Sequence, residues 1–336
     1  MTKNFNYFED YKVGEEGETW SRTVGEFDIV SFACLTADYA QVHLARHVMT
    51  SSPYGERVAH GCLIASLVPG MISYTTPHIV GRDVPEAYFY GFGITHRRAT
   101  QLGDTIKVKW RVSEKTDDPA QNGFGLVKTA FQVINQEGVA TDDGDFMIKV
   151  RKEKAKDMRL QLKPGVPWQI KELVFDPEKV YFMEDFVEGE GEDIKGRTMT
   201  EADIVNFVGL TGDYAPLYVD AEYAGKSPFG ERIVPGMMVF FAVFGFWARD
   251  GAFMKAKMPT AIESLAGHMA DGATFLAPVK IGDTIYGQWK LENSRASKSK
   301  PEMGIMRLGL QLFNQRNEVV QEGYTVLTRG TKAGIK

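Results

Sequence analysis

The chain has 336 residues, 43% of them hydrophobic and 25% charged, and a formal net charge of −5. That length supports two domains with their own cores, and the acidic balance argues against nucleic acid or an anionic membrane surface as a partner. Two cysteines in so long a chain, Cys34 and Cys62, exclude a disulfide scaffold and point to a reducing compartment, so a cytoplasmic location is expected. The opening MTKNFNYFEDYK lacks the apolar stretch of a secretion signal. The longest apolar run, Val234 to Ala248, falls short of the roughly 20 residues that cross a bilayer, and no membrane association is expected.

Taken in order, the chain repeats itself. Phe8-Glu9-Asp10-Tyr11 pairs with Met183-Glu184-Asp185-Phe186, Arg22-Thr23 with Arg197-Thr198, and Asp28-Ile29-Val30 with Asp203-Ile204-Val205. Asp38-Tyr39-Ala40 pairs with Asp213-Tyr214-Ala215, and Gly55-Glu56-Arg57 with Gly230-Glu231-Arg232, all at an offset of 175 without a gap. Further on the offset becomes 179, and Leu102-Gly103-Asp104-Thr105 sits beside Ile281-Gly282-Asp283-Thr284. So many matches in fixed register identify a duplicated unit.

In each unit a short segment precedes a helix. Ile29, Phe32 and Ala33 recur at helical spacing, as do Ile204, Phe207 and Val208 behind a capping-box pattern at Thr200 to Asp203. A second helix, Gly61 to Tyr74 and again Gly236 to Arg249, is apolar on nearly every side and must be wrapped. Strand patterns follow at Tyr88 to Ala99, Thr105 to Glu114, Gly123 to Asn135 and Val139 to Val150, and return near Ala261 to Leu276, Thr284 to Asn293, Gly304 to Asn314 and Glu318 to Thr328. Four or five antiparallel strands curled around one buried helix satisfy this pattern. The expected organisation is an N-terminal unit over 1–150, a linker over 151–180 and a C-terminal unit over 181–336. Trp168, Leu173 and Phe175 suggest that the linker lies against the protein.

Chemistry concentrates in the first unit. Asp38 and His43 are five apart, just past a helix, and a carboxylate with an imidazole can hold a water and move its protons. Gly61 opens the buried helix and offers a free N–H at its positive end, suited to a carbonyl oxygen. His60 is read as support for that helix start. The second unit keeps Asp213 but has Tyr218 in place of His43 and Pro235-Gly236 in place of His60-Gly61. His43 and His47 have a spacing that also serves metals, but no third ligand accompanies them and no metal is expected.

These residues resemble the MaoC-type or hydratase-2 family, the (R)-specific enoyl-CoA hydratases, whose signature is close to G-D-x-N-P-[LIV]-H-x-D followed by A-H-G. Asp38 and His43 fall on the Asp and His, and Ala59-His60-Gly61 falls on the A-H-G. The resemblance covers both halves and implies an α+β double hot-dog fold: two antiparallel sheets, each wrapped around a central helix, meeting as a pseudo-dimer. It further implies an acyl-CoA substrate and reversible hydration of a 2-enoyl-CoA, or dehydration of an (R)-3-hydroxyacyl-CoA. Asp38 and His43 would be catalytic, and Gly61, with His60 beside it, would bind the thioester oxygen. The thioester acidifies its own α-carbon, so no cofactor is expected. Pairing of two double hot dogs into a homodimer is a further expectation.

Two rivals remain, one motivated by departures from the signature and one by the shared fold. Ala37, Ala40, Gln41 and Ala45 replace its Gly, Asn, Pro and second Asp. A non-catalytic acyl-CoA-binding or assembly subunit would tolerate such erosion. A thioesterase on the same fold needs a carboxylate on the central helix, and none lies between Gly61 and Tyr74. Phe240, Phe241, Phe244, Phe246 and Trp247 are expected to fill the second unit or to offer an aromatic wall to a substrate bound in the first.

Overall fold

A computed structural model describes residues 7–82, 84, 86–176, 178–251, 254 and 267–334. The first half runs β1 (Glu16–Glu18), β2 (Arg22–Thr23), α1 (Glu26–Thr36), α2 (Gln41–Leu44), α3 (Arg46–Met49), α4 (Gly61–Thr75), β3 (Ala87–His96), β4 (Thr105–Asp117), β5 (Phe124–Ile134) and β6 (Ala140–Arg151). After β7 (Lys171–Glu172) the second half repeats the plan: β8 (Glu190–Thr198), α5 (Glu201–Thr211), α6 (Pro216–Val219), α7 (Ala221–Lys226), α8 (Gly236–Asp250), β9 (His268–Phe275), β10 (Thr284–Ala296), β11 (Met303–Asn314) and β12 (Val319–Gly330). Of the strand expected from Ala261 to Leu276, residues 261–266 lie outside the described residues.

The double hot dog implied by the resemblance is the architecture found. One sheet of 12 strands runs β1-β4-β5-β6-β3-β9-β12-β11-β10-β8-β7, with β2 also on β4, and β7 on β8 is its parallel pair. The halves join where β3 meets β9, and there Gly93 stands opposite Gly272, its own counterpart at the 179-residue offset. A pseudo-two-fold axis therefore passes through the seam. Pairing the two edges removes an exposed strand from each half. Among the described residues no helix is long and apolar enough to cross a membrane.

The two central helices are wrapped as their composition requires. In α4 every residue from Cys62 to Ile72 is buried, and α8 is buried from Met237 to Gly245. Each presses a glycine against the other half. A Cβ on Gly70 would lie 2.0 Å from the carbonyl oxygen of Thr211, and one on Gly245 would lie 2.0 Å from that of Thr36. Thus α4 sits on the end of α5, and α8 on the end of α1. Helices α1 and α5 begin alike, with an aspartate three residues in accepting the N–H of Gly25 at 2.8 Å and of Thr200 at 2.7 Å. The linker lies against the protein: Trp168 N–H donates to Gln311 Oε1, and Leu173 and Phe175 pack on the core.

Candidate functional site

The end of α1 sets the first side chain. Ala37 takes the left-handed conformation (φ 66°) and turns the chain so that Asp38 faces inward, where its carboxylate accepts the N–H of Ala40 at 3.2 Å. The short helix α2 then carries His43 to the same place. The segment before α4 is held to the sheet by the Ala59 N–H on the Thr100 carbonyl, which fixes His60 and Gly61. His43 and His60 stack at 3.7 Å between ring centroids. Ligand-type atoms of Asp38, His43 and His60 all lie within 4.8 Å of one another. The four residues expected from the sequence are therefore brought together.

Hydrogen bonds fix the tautomers. The Val58 carbonyl accepts from His43 Nδ1–H at 2.8 Å, which leaves Nε2 as a lone pair. The Asp38 carbonyl accepts from His60 Nε2–H at 3.0 Å. Burial lowers the pKa of His43 from its usual value, with Asp38 and Val58 pulling the other way, and burial together with the His43 charge lowers that of His60 further. Both rings are thus neutral near pH 7. At the start of α4 the first in-helix bonds begin with the Leu63 and Ile64 N–H groups on His60, so the N–H groups of Gly61 and Cys62 precede the ladder.

A second polar cluster adjoins the first, and sequence reasoning missed it. His96, at the end of β3, packs so tightly on Gly61 that a Cβ there would lie 2.6 Å from its ring. Its Nδ1 donates to Asp142 on β6 at 2.7 Å, and its Nε2 stands 3.5 Å from Asp271 on β9. Burial opposes the charge on His96, but the two carboxylates raise its pKa to about 9. Asp271, fully buried, accepts from His268 Nε2–H at 2.8 Å and from Cys62 Sγ–H at 3.8 Å. Burial alone would raise the Asp271 pKa, yet His268 and His96 hold it well below the usual carboxylate range. Cys62, His268 and Asp271 have metal-like spacing, and Cys62 Sγ–H and His268 Nε2–H both donate to Asp271.

One cavity of about 360 Å³ joins both clusters. Asp38, His43, Gly61, His96, Asp142 and His268 line it, with Val42, Ile64, Met269 and Leu327 as apolar wall and Arg97 and Arg98 among its polar lining. Phe244 and Ala248 of α8 complete it, so Phe244 is the aromatic wall expected from the second half.

Residues 10–129 and 185–309 match the family model described as MaoC like domain. The chain belongs to the MaoC-like family. It is 29% identical over 160 residues to the 3-hydroxybutyryl-CoA dehydratase of Methylorubrum extorquens, a stretch covering 47% of this chain and 94% of that one. It is 30% identical over 107 residues to the (R)-specific enoyl-CoA hydratase of Rhodospirillum rubrum, covering 32% of this chain and 66% of that one. A MaoC domain protein from Chloroflexus aurantiacus has the same fold over 98% of this chain and 99% of its own, with a TM-score of 0.75 at 17% identity.

Only one half of this MaoC-like protein keeps the open arrangement. In the other, Arg82 from the first half reaches Asp213 with two bonds, Nε to Oδ1 at 2.7 Å and Nη2 to Oδ2 at 2.5 Å. Its guanidinium lies 5.2 Å from the Tyr218 ring centroid and 5.1 Å from that of Phe89. Asp213 is thereby a structural counterion. Arg57 is held by Glu26, as Arg232 is by Glu201. Arg97 pairs with Asp143, and the Arg98 side chain has no hydrogen-bond or ion-pair partner among the described residues.

The missed cluster did leave a trace in the sequence. At the 179-residue offset His96 corresponds to Phe275 and Asp142 to Gln321, both polar in the first half and uncharged in the second. A Cβ on Gly236 would meet Phe275 as one on Gly61 meets His96, so the correspondence is structural as well.

Proposed function

We propose that this chain catalyses reversible addition of water to a 2-enoyl-CoA, which in the other direction is dehydration of an (R)-3-hydroxyacyl-CoA. The observation that carries this reading is a single cavity holding a neutral imidazole with a free Nε2, a carboxylate and a helix-start N–H. Asp38 and His43 hold the water between them. As the C3–O bond forms, the water's proton passes to His43 Nε2, and the electron pair of the C2=C3 bond moves toward the thioester oxygen. The Gly61 N–H receives the charge that gathers on that oxygen. Protonation at C2 completes the addition.

Two relatives add support by name: a 3-hydroxybutyryl-CoA dehydratase and an (R)-specific enoyl-CoA hydratase. Arg97 and Arg98 line the same cavity and suit the phosphates of CoA.

The test follows the loss of enoyl-thioester absorbance with crotonyl-CoA and with a longer or aromatic enoyl-CoA. Wild type is expected to turn over. Asp38→Asn and His43→Ala, still folded by circular dichroism, are each expected to lose roughly 10²–10⁴-fold in kcat, the worth of a general acid or base. Tight binding without turnover would favour the acyl-binding subunit, and release of free thiol would favour the thioesterase.

A further inference from the structure

We propose that His268, supplied by the second half, is the catalytic acid–base residue that gives the C2 proton during hydration and takes it during dehydration. This rests on the hydration reading above and adds to it a residue from the other half of the duplication.

Four observations carry it. His268 lines the cavity that holds Asp38, His43 and Gly61. Its Nε2–H is fixed on the fully buried Asp271 at 2.8 Å, and its Nδ1 has no hydrogen-bond partner among the described residues. A buried carboxylate that orients one nitrogen and leaves the other unpartnered, on a ring that lines the cavity, is the arrangement of an acid–base histidine. The ring is immobilised on its face as well, stacked on Phe244 with centroids 5.2 Å apart and planes 20° from parallel. Asp271 is in turn held by His96 and Cys62.

The fourth observation is the duplication itself. At the 179-residue offset His268 corresponds to Phe89 and Asp271 to Phe92. The half that lost its histidine, with Tyr218 for His43, is therefore faced across the seam by phenylalanine, and Arg82 lies over Phe89 and Tyr218 alike. The half that kept Asp38 and His43 is faced by the histidine–aspartate pair. The two sets of polar groups occur together in one site and are missing together from the other, although the backbone is the same. Packing alone gives no reason for that coincidence.

Protons balance as follows. In hydration the water gives its proton to His43 Nε2 while its oxygen bonds C3. His268 enters hydration as the imidazolium, with Nε2–H on Asp271 and a second proton on Nδ1. The enolate carbon C2 takes that Nδ1 proton, which leaves His268 neutral and His43 protonated, and transfer of one proton through solvent restores both. Dehydration runs the same steps backward.

The experiment compares wild type with His268→Gln and His268→Gly on crotonyl-CoA and on 3-hydroxybutyryl-CoA carrying deuterium at C2. A loss of about 10²–10⁴-fold in kcat with KM little changed is expected. The C2 deuterium isotope effect on dehydration should rise, because proton transfer becomes limiting, and added imidazole should restore rate to His268→Gly. A kcat within about threefold of wild type in both variants overturns the proposal. So does a loss with an unaltered isotope effect and no rescue, which would make His268 structural. If wild type itself hydrates no enoyl thioester, the hydration reading fails first and the role of His268 falls with it.

Discussion

Two half-buried histidines near the same glycine have opposite charge preferences, and their immediate neighbours account for it. His43 gives its one donor to a backbone carbonyl and is otherwise desolvated, so it stays neutral. His96 has a carboxylate at each ring nitrogen and keeps its proton up to about pH 9. The groups facing His96 are Asp142 from β6, Asp271 and His268 from β9, and Cys62 beside Gly61 on α4. A histidine whose folded pKa is raised adds stability that is complete below its unfolded value near 6.5 and is lost as pH rises toward 9. The stability gap between wild type and His96→Gln should therefore be largest in mild acid, on the order of 3 kcal/mol, and should close as pH climbs to about 9. Denaturant unfolding at several pH values measures it. A gap that is flat or widens with pH would mean that His96 is not charged in the folded state.

At the scale of elements, the two first helices end alike but not equally well. Gly212 caps α5 at φ 78°, where glycine is at ease, while Ala37 caps α1 at φ 66° and carries a Cβ into the left-handed region. Ala37→Gly should raise stability by about 1 kcal/mol, and Gly212→Ala should lower it by about the same. Thermal melts of the two variants check both signs. The result bears on the site too, because Asp38 is the residue after that cap. The boundaries of the long elements followed their patterns closely: α4 runs Gly61–Thr75 against an expected Gly61 to Tyr74, and β5 runs Phe124–Ile134 against Gly123 to Asn135. The short strands β1, β2, β7 and β8 and the one-turn helices α2, α3, α6 and α7 were not individually readable, because two to nine residues of mixed pattern owe their form to the partner they lie on.

For the molecule as a whole, Arg82 and Asp213 clasp the halves. Their side chains are 6% and 4% exposed, so removing one charge strands the other away from water. Burial disfavours the Arg82 cation, and Asp213 more than restores it. Arg82→Ala should destabilise the protein by about 3–5 kcal/mol, the usual cost of breaking a buried pair, and pairing it with Asp213→Ala should recover part of that loss. Urea titration of the single and double variants decides this. An equal or larger loss in the double variant would show that the pair does not act as one unit. The clasp also explains why an acid survives in the second copy without its histidine.

The amino-acid sequence by itself determined the duplication, the wrapped helices, the succession of strands along each half and the grouping of Asp38, His43, His60 and Gly61. All of these rest on local periodicity, on a fixed offset between copies, or on residues close together in the chain. The tertiary structure decided what faces that group. His96, Asp142, His268 and Asp271 meet because β3 pairs with β6 on one side and with β9 on the other, with Ile94 opposite Asp271. Arg82 meets Asp213 because the helices of one half rest on the other. Contacts of this kind depend on sheet register across the seam, and no spacing along a single copy encodes them.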